Sequence, residues 1–590
     1  MTLFGWTGNI LHIDLGTREI RVEHPHRDLY TRFLGGKGLA GHYLLPHARL
    51  DWDDPAMPVC LFTGPLNATI APTSGRIHLA SKSPLTGFMG DASAGGKLAT
   101  QLKRAGWDGL VITGKSDTPV GIHIHDDQVT LKDAAPLWGK DTEALHRQLT
   151  PGKAALAAIG PAGENGCRFA SITVDRHHSA GRTGLGLSLG TKKLKYIIAQ
   201  GSQKTAVHDS AGLKAAREDI LRLTAASPAL MGQYGFTCLG TGAVFDLMDN
   251  RRMMPTDNFK ATWFADAGQF NAHAYTRQFQ PKKYGCKGCH ILCKKIETRT
   301  GSHQALPEFE TMSHFTALIG SRDLELVVEA NSLCNRLGMD TISAASTLAC
   351  HRELTGKDYT PDQVLSLLWD MAHDQGEGRS LKRGSRAHAR AQGAPDTSMS
   401  VKGLELPAYD PRGAYGMALG YAVSTRGGCH LRAYPISHEV FRKPVATDRF
   451  SFSGKARIIK LAEDLNAAVD SLIACKFTFF AAGLEEYAKA FTAVTGVETT
   501  AQDLMAAGER IYYQDRLFNG AQTVAENPDD LPPRFFTQAG SSGNALEIPP
   551  IDREAFLNTR ERYYRVRGLD AQGMPLKEKA LALELPWNSL

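Results

Sequence analysis

"VCLFTGPLNATIAPTSGRIHLASKS" (Val59–Ser83) sets the character of the first third of this 590-residue chain. Its two ends, Val59–Leu66 and Arg76–Ser83, are short β-type runs, and the stretch between them is rich in Gly, Pro and Thr. Runs of the same kind recur at "GLVITGKS" (Gly109–Ser116) and "VGIHIHDD" (Val120–Asp127). Alternating apolar and polar residues broken by frequent turns predict an antiparallel sheet domain with intervening helices over residues 1 to about 205.

From about residue 210 the apolar period changes from two to 3.6. "SAGLKAAREDILRLTAA", "LELVVEANSLCNRLG", "PDQVLSLLWDMAH" and "GKARIIKLAEDLNAAVDSLIACKF" each carry one apolar face and read as helices. The small, polar stretch "AQGSQKTAVHDSAG" reads as a linker, and a weaker break falls around 390–412. A chain this long exceeds one hydrophobic core. The expected fold class is α+β, with a β-rich domain at 1–207 followed by two mainly helical domains at 208–410 and 411–590.

Composition narrows the function. The chain is 42% hydrophobic and 22% charged with a net charge of +6, an ordinary soluble profile. No run of about 18 apolar residues suggests a membrane span. The N-terminal "MTLFGWTGNILHIDLGTREI" begins with strand-like alternation and lacks the features of a signal peptide. No basic tail or recognition helix points to nucleic acid. Of the ten cysteines, Cys60, Cys167, Cys238, Cys334, Cys350 and Cys429 are scattered singly and read as idle thiols of a reducing compartment. The expectation is a cytoplasmic protein with a metal centre, touching neither nucleic acid nor membrane.

"GKGLAG" (Gly36–Gly41) matches G-x-G-x-x-G, but "DLYTRFLG" precedes it where a dinucleotide site needs a buried strand. The number of glycine loops is more informative. "LGGKGLAG", Thr63–Arg76, Thr86–Lys97, "IGPAGENG" (Ile159–Gly166) and "DRHHSAGRTGLG" (Asp175–Gly186) all fall in the first domain. Such loops bring backbone N–H groups close to an anion, and Arg76 and Arg182 can add bidentate phosphate contacts. Together they imply a large, polar, phosphate-bearing ligand.

"CKGCHILC" (Cys286–Cys293) places three thiols in eight residues. A zinc site completed by His290 or His303 is one reading, although no second C-x2-C pair exists. A [4Fe–4S] cluster with three local thiolates and one remote thiolate fits better, and Cys475 in "VDSLIACKF", at the end of a predicted helix, is the best remote candidate. Lysines 282, 283, 287, 294 and 295 either offset the cluster's charge, receive an acidic electron carrier, or form a solvated face.

In order along the chain, "LGGKGLA", "TGPLNATIAPTSGR", "SKSPLTGFMGDASAGGK", "WDGLVITGKS", "IGPAGENG", "SAGRTGLG", "CKGCHILC", "PEFET", "RGGCHLRAY", "DSLIACKF" and "RVRGLDAQGMPLKEKALALEL" resemble the aldehyde:ferredoxin oxidoreductase family. The resemblance implies a β-rich base carrying a tungsten (or molybdenum) bis-pyranopterin beside one [4Fe–4S] cluster, with two helical domains above. It implies Cys286, Cys289, Cys293 and Cys475 as cluster ligands, and Arg76 between cluster and pterin. Ser93, Gly95, Arg182, Thr183 and Gly184 fall in segments that bind pterin phosphates and a bridging Mg2+, although the family often has Asn where Ser93 stands. Asp340 and Asp470 match aspartates that bind the pterin rings, in motifs where Ser343 and Ile473 replace the glycine. Glu310 in "PEFET" and His430 in "RGGCHLRAY" match the catalytic groups beside the metal, with His438 the alternative histidine. The implied activity is aldehyde oxidation to the carboxylic acid, with electrons leaving to ferredoxin or an Fe–S subunit, in a homodimer or hetero-oligomer. The alternative within the superfamily is a low-potential reductase of the benzoyl-CoA reductase type.

Overall fold

The computed structural model describes residues 3–150, 152–298, 301, 303–522, 528–540 and 546–587. Strands β1 (Ile10–Asp14), β2 (Ile20–Glu23), β3 (Val59–Phe62), β4 (Ile77–Lys82), β5 (Met89–Ala94) and β6 (Gly109–Thr113) form one sheet in the order β2-β1-β6-β3-β4-β5. A second sheet orders β7 (Val120–His125), β8 (Gln128–Asp133), β9 (Ala155–Ile159), β10 (Ile172–Val174), β11 (His178–Ala180) and β12 (Leu194–Gln200) as β11-β10-β9-β12-β7-β8. Purely antiparallel pairing was the expectation, and both sheets are instead mixed. β1 runs parallel to β6, and β7 parallel to β12, because long connections containing helices allow a crossover. The period of a strand reports which face is buried and is blind to the direction of its neighbour.

The first sheet is covered on both faces. Val59 and Leu61 point into the core shared with the second sheet, where Ile122, Ala157, Ile172 and Ile197 meet them. Cys60 and Phe62, one residue out of phase, pack into a different core built with helices from the C-terminal half. A strand buried on both sides has no reason to alternate, which is why "VCLF" is apolar throughout.

The helices that position the site are α1 (Gly36–Leu44), α2 (Ser210–Ala225), α3 (Phe309–Ser313), α4 (Leu324–Leu337), α5 (Thr341–Thr355), α6 (Lys455–Leu472) and α7 (Ala501–Gly520). Local chemistry sets their ends. Asp209, Asp323, Asp340 and Thr500 accept backbone N–H groups as N-caps of α2, α4, α5 and α7, and Gly338 ends α4 in the left-handed region. Helix α6 stops at Leu472 because Ile473 turns left-handed, at φ 62°. Cys475, expected at the end of this helix, therefore lies beyond it and caps the 3-10 turn Lys476–Phe480.

The G-x-G-x-x-G match sits inside α1, which follows the helix Arg27–Phe33, so no strand precedes it. Its glycines allow close packing. A Cβ at Gly36 would lie 2.3 Å from the Asp470 carbonyl oxygen, and one at Gly38 2.1 Å from the Phe33 carbonyl oxygen. A side chain at Gly36 would push α1 off the C-terminal end of α6, and one at Gly38 off the preceding helix and Ile511 of α7. Gly38→Ala is expected to destabilise the protein by roughly 1–3 kcal/mol through overpacking against backbone. Gly268→Ala, where a Cβ would meet nothing within 4 Å, should stay within about 0.5 kcal/mol of wild type. Paired denaturant melts of the two variants check this.

Candidate active site and metal centre

Between the sheets and the helical half lies a cavity of about 1680 Å³, walled by parts of both. Arg76, Ser93, Gly95, Arg182, Cys286, Cys293, Glu310, Asp340, His430 and His438, all singled out from sequence, line it. Cys289, Thr183, Gly184, Asp470 and Cys475 fall outside the lining residues.

The hairpin β13 (Lys282–Tyr284) and β14 (Lys294–Ile296) carries the three local thiols in its loop. Cys289 N–H donates to the Cys286 carbonyl (3.1 Å), and Gly288 and Leu292 take positive φ, curling the loop back. The hairpin rests on the glycine loops of the first sheet. A Cβ at Gly95 would lie 2.3 Å from Cys286 Sγ, and one at Gly75 2.3 Å from the Lys287 carbonyl oxygen. All ten cysteines are free. Burial, reinforced by Cys475 and Cys286 nearby, pushes the Cys289 thiol up to about 11. Burial likewise raises Cys293 and Cys475, each of which feels Cys286 as well. Thiols that raise one another's pKa share one neighbourhood, so the structure brings Cys475 to the hairpin. Of the two alternative ligands, His290 has both ring nitrogens buried without a partner and His303 is exposed. Among the described residues no three His, Cys, Asp or Glu side chains form a group able to hold a single metal ion.

Arg76 reaches from this cluster toward the floor of the cavity. Its Nε donates to Ser93 Oγ (2.8 Å), and a second nitrogen donates to the Ser93 carbonyl. Burial opposes its charge, yet Cys475, Cys286 and Asp470 outweigh that and raise its pKa. The lysines divide. Lys282, Lys283 and Lys287 are exposed, whereas Lys294 pairs with Glu308 (2.6 Å) and Lys295 donates to the Leu292 carbonyl (3.1 Å).

Glu310 sits in the first turn of α3, with Oε2 accepting from Ala408 N–H at 2.7 Å. His430 Nε2 lies 3.5 Å from its other oxygen without a hydrogen bond forming, and Glu310 Oε1 and His430 Nδ1 have no partner. Burial pushes the Glu310 carboxyl up to about 8, against the pull of the Ala408 N–H. Burial, then Arg182 and Arg426, hold the His430 imidazole well below its ordinary value. The result is a carboxyl that titrates near neutrality facing a neutral imidazole. His438 is turned elsewhere, with Nδ1 3.0 Å from the Val445 carbonyl.

The other expected residues are tied into the protein. Arg182 pairs with Asp340 (3.3 Å) and donates to the carbonyls of Glu405 and Gly428 (2.8 Å to the latter). Asp340 also caps α5 through Ser343 N–H (2.9 Å). Asp470 holds Lys476 at 2.8 Å. Ile473, a β-branched residue in the left-handed region, is strained there. Its side chain occupies space that Gly36 and Gly64 leave open, since a Cβ on either would lie 2.5–2.7 Å from it.

Sequence reasoning missed the charge cluster centred on Asp91 of β5. Arg432 pairs with its Oδ1, Lys37 lies 3.0 Å and His78 3.3 Å from Oδ2, and Arg426 3.4 Å from Oδ1. Lys37 also pairs with Asp515 at 2.6 Å. Burial opposes ionisation of Asp91, but Arg432 and Lys37 hold its carboxyl well below the usual range. Cys429, read as idle, accepts from Arg426 Nε (3.1 Å), and that arginine with Arg432 lowers its pKa despite burial. The available signal was a single charge inside each apolar or glycine-rich run: Lys37 in "GKGLAG", Asp91 in "FMGDASA" and Arg432 in "CHLRAY".

The model of the aldehyde ferredoxin oxidoreductase N-terminal domain matches residues 10–201, and that of domains 2 and 3 matches residues 215–585. The chain belongs to the aldehyde ferredoxin oxidoreductase family. It is 36% identical to a tungsten-containing aldehyde ferredoxin oxidoreductase of Thermococcus kodakarensis, over 98% of each chain. It is 35% identical to one of Pyrococcus furiosus, again over 98% of each. The same fold occurs in the active-site complex BamBC of benzoyl coenzyme A reductase solved with 1,5-dienoyl-CoA. That match has a TM-score of 0.83 and 22% identity, covering 99% of this chain and 98% of the other.

Breaking the Asp91 cluster should be costly, because removing one partner leaves buried charge uncompensated. Asp91→Asn is expected to lose about 3–5 kcal/mol. A depressed carboxylate stabilises the fold above its unfolded pKa and loses that contribution as pH falls through the folded value. The deficit of the variant should therefore be full at pH 7 and shrink in strong acid. Denaturant melts across that range check both the size and the sign.

Proposed function

We propose that this enzyme oxidises an aldehyde to its carboxylic acid at a tungsten (or molybdenum) centre held by two pyranopterins. Electrons then leave through a [4Fe–4S] cluster to ferredoxin or an Fe–S partner subunit. The observation that carries the reading is the facing pair of Glu310 and His430 in the wall of a cavity that also contains Arg76, Cys286 and Cys293. The kinship with tungsten-containing relatives over nearly the whole chain supports it.

The residues present fit these groups. Four thiols of one neighbourhood suit a cuboidal cluster, with Cys286, Cys289 and Cys293 on the hairpin and Cys475 below α6. Unpartnered buried polar atoms, His178 Nε2 in the wall and Thr183 Oγ1 and Arg432 Nε on residues next to it in sequence, await a polar ligand. Ser93, Gly95, Arg182, Thr183 and Gly184 would hold the phosphates with Mg2+, and Asp340 and Asp470 the pterin rings. When bound, the pterin-held metal supplies a two-electron oxidant and the cluster an outlet for single electrons.

The chain itself handles the substrate and its protons. Aldehyde plus water yields carboxylic acid, two electrons and two protons. His430, neutral at physiological pH, donates an N–H to the carbonyl oxygen and makes the carbon more electrophilic. Glu310, its Oε2 fixed by Ala408 N–H, takes a proton from the attacking water or from the aldehydic carbon with Oε1. Burial that raises its pKa makes it a stronger base, and also leaves it protonated below about 8.

Purified protein should contain tungsten or molybdenum with about four iron atoms per chain, and zinc without either metal would refute the reading. Cys475→Ser should lose the cluster's optical and EPR signals, and an intact four-iron cluster would free Cys475 from this role. Glu310→Gln should lower turnover by roughly 10²–10⁴-fold with metal content unchanged. In wild type kcat/KM should climb with pH, reach half its limit near 8 and level off above that, and that rise should vanish in the variant.

A further inference from the structure

Outward from Glu310 and His430 the cavity wall is a series of aromatic rings. The Tyr409 ring lies tilted 5.5 Å from His430 and edge-on 5.9 Å from Tyr434. Tyr434 lies 5.9 Å from Phe480, which lies 5.5 Å from Phe441 and 6.4 Å from Phe477. All five line the cavity, as do the exposed Lys443 and Pro444 that follow Phe441. The ring series thus runs from the facing pair to the protein surface.

Polar atoms in this wall are already engaged. The hydroxyls of Tyr409 and Tyr434 lie 3.2 Å apart and satisfy each other. Lys476 is held by Asp470, and His438 by the Val445 carbonyl. The acidic residues of the lining are Glu308, paired with Lys294, Asp340, paired with Arg182, and Glu310 itself. Among the described residues, no spare carboxylate along the shaft would greet a cationic substrate, and its single uncommitted cation, Lys443, stands at the rim.

We propose that this shaft selects neutral aldehydes carrying an aromatic ring over short aliphatic or charged ones. The proposal rests on the reading of Glu310 and His430 as the aldehyde-oxidising pair. A phenyl group can make offset and edge contacts with several rings at once, whereas a two-carbon aldehyde buries almost none of that surface. Burial of one aromatic side group is worth about tenfold or more in selectivity.

The test compares benzaldehyde with acetaldehyde on metal-loaded enzyme, using a viologen dye as electron acceptor. Benzaldehyde should have the higher kcat/KM by at least about tenfold. Phe441→Ala and Phe480→Ala, each with wild-type tungsten and iron content, should lower that ratio severalfold, chiefly through KM for benzaldehyde. Equal or greater kcat/KM for acetaldehyde, or an unchanged ratio in both variants, overturns the proposal. Calorimetric titration with benzamide and acetamide, which cannot be oxidised at this carbon, separates the shaft from the chemistry. Benzamide should bind at least about tenfold more tightly, and equal affinities overturn the proposal even if aldehydes are turned over. Preference for benzamide in an enzyme that oxidises no aldehyde would remove the catalytic reading and leave the shaft standing.

Discussion

The buried carboxylate of Asp91 is the point on which the site's architecture depends. It belongs to β5 of the first sheet, yet its partners come from α1 (Lys37), β4 (His78) and the loop carrying His430 (Arg426, Arg432). Through Lys37 the network reaches Asp515 on α7, and through Arg432 it reaches Asp470 (3.8 Å) at the end of α6. Four cations, Lys37, Arg426, Arg432 and Lys476, face the carboxylates of Asp91, Asp470 and Asp515. Charges this deep lose most of their hydration, and no protein hydrophobic effect returns it. They persist only if their geometry is well satisfied. The positive character of this network suits an anionic ligand in the adjoining cavity, whose wall includes Lys476.

That network also explains why the loop from Arg426 to Arg432 can hold His430 against Glu310. Both arginines are drawn toward Asp91, Arg426 additionally grips Cys429 Sγ, and Leu431 N–H donates to the same sulfur (3.3 Å). A histidine between anchored neighbours loses little further freedom on meeting a substrate, which is the entropic advantage of a preorganised site. Burial, then Arg182 and Arg426, keep the imidazole neutral, so Arg426 serves both its position and its protonation state.

How legible this was from sequence differs from residue to residue. Helices with a 3.6-residue apolar period, such as Leu324–Leu337 and Pro361–His373, formed over the stretches that carried it. Thiol spacing marked the hairpin, because three cysteines in eight residues is a local pattern. Asp91, by contrast, pairs with Lys37 54 residues earlier and with Arg432 341 residues later. No local period encodes such a contact, and a charged residue inside a strand reads as solvated until its partners are seen. The parallel pairing of β1 with β6 escaped for the same reason. Glu310 and His430 were reached through family resemblance, since a helix-start glutamate and a loop histidine carry no periodic signal of their own.

The cavity is thus two environments joined at one pair of side chains. On one side, charged groups are locked into mutual ion pairs around a floor of glycine turns. On the other, rings line an apolar passage with their hydroxyls already spent on each other. Glu310 stands at the boundary, and this placement accounts for its character. Without a cation as direct partner, its carboxyl is governed by burial and rises to about 8, while Asp470, inside the charged region, is held low by Lys476 despite equal burial. Two buried carboxylates, one in the cavity wall and one behind it, are driven in opposite directions by what surrounds them. The first is suited to exchange a proton with substrate, and the second to stay ionised beside a ligand.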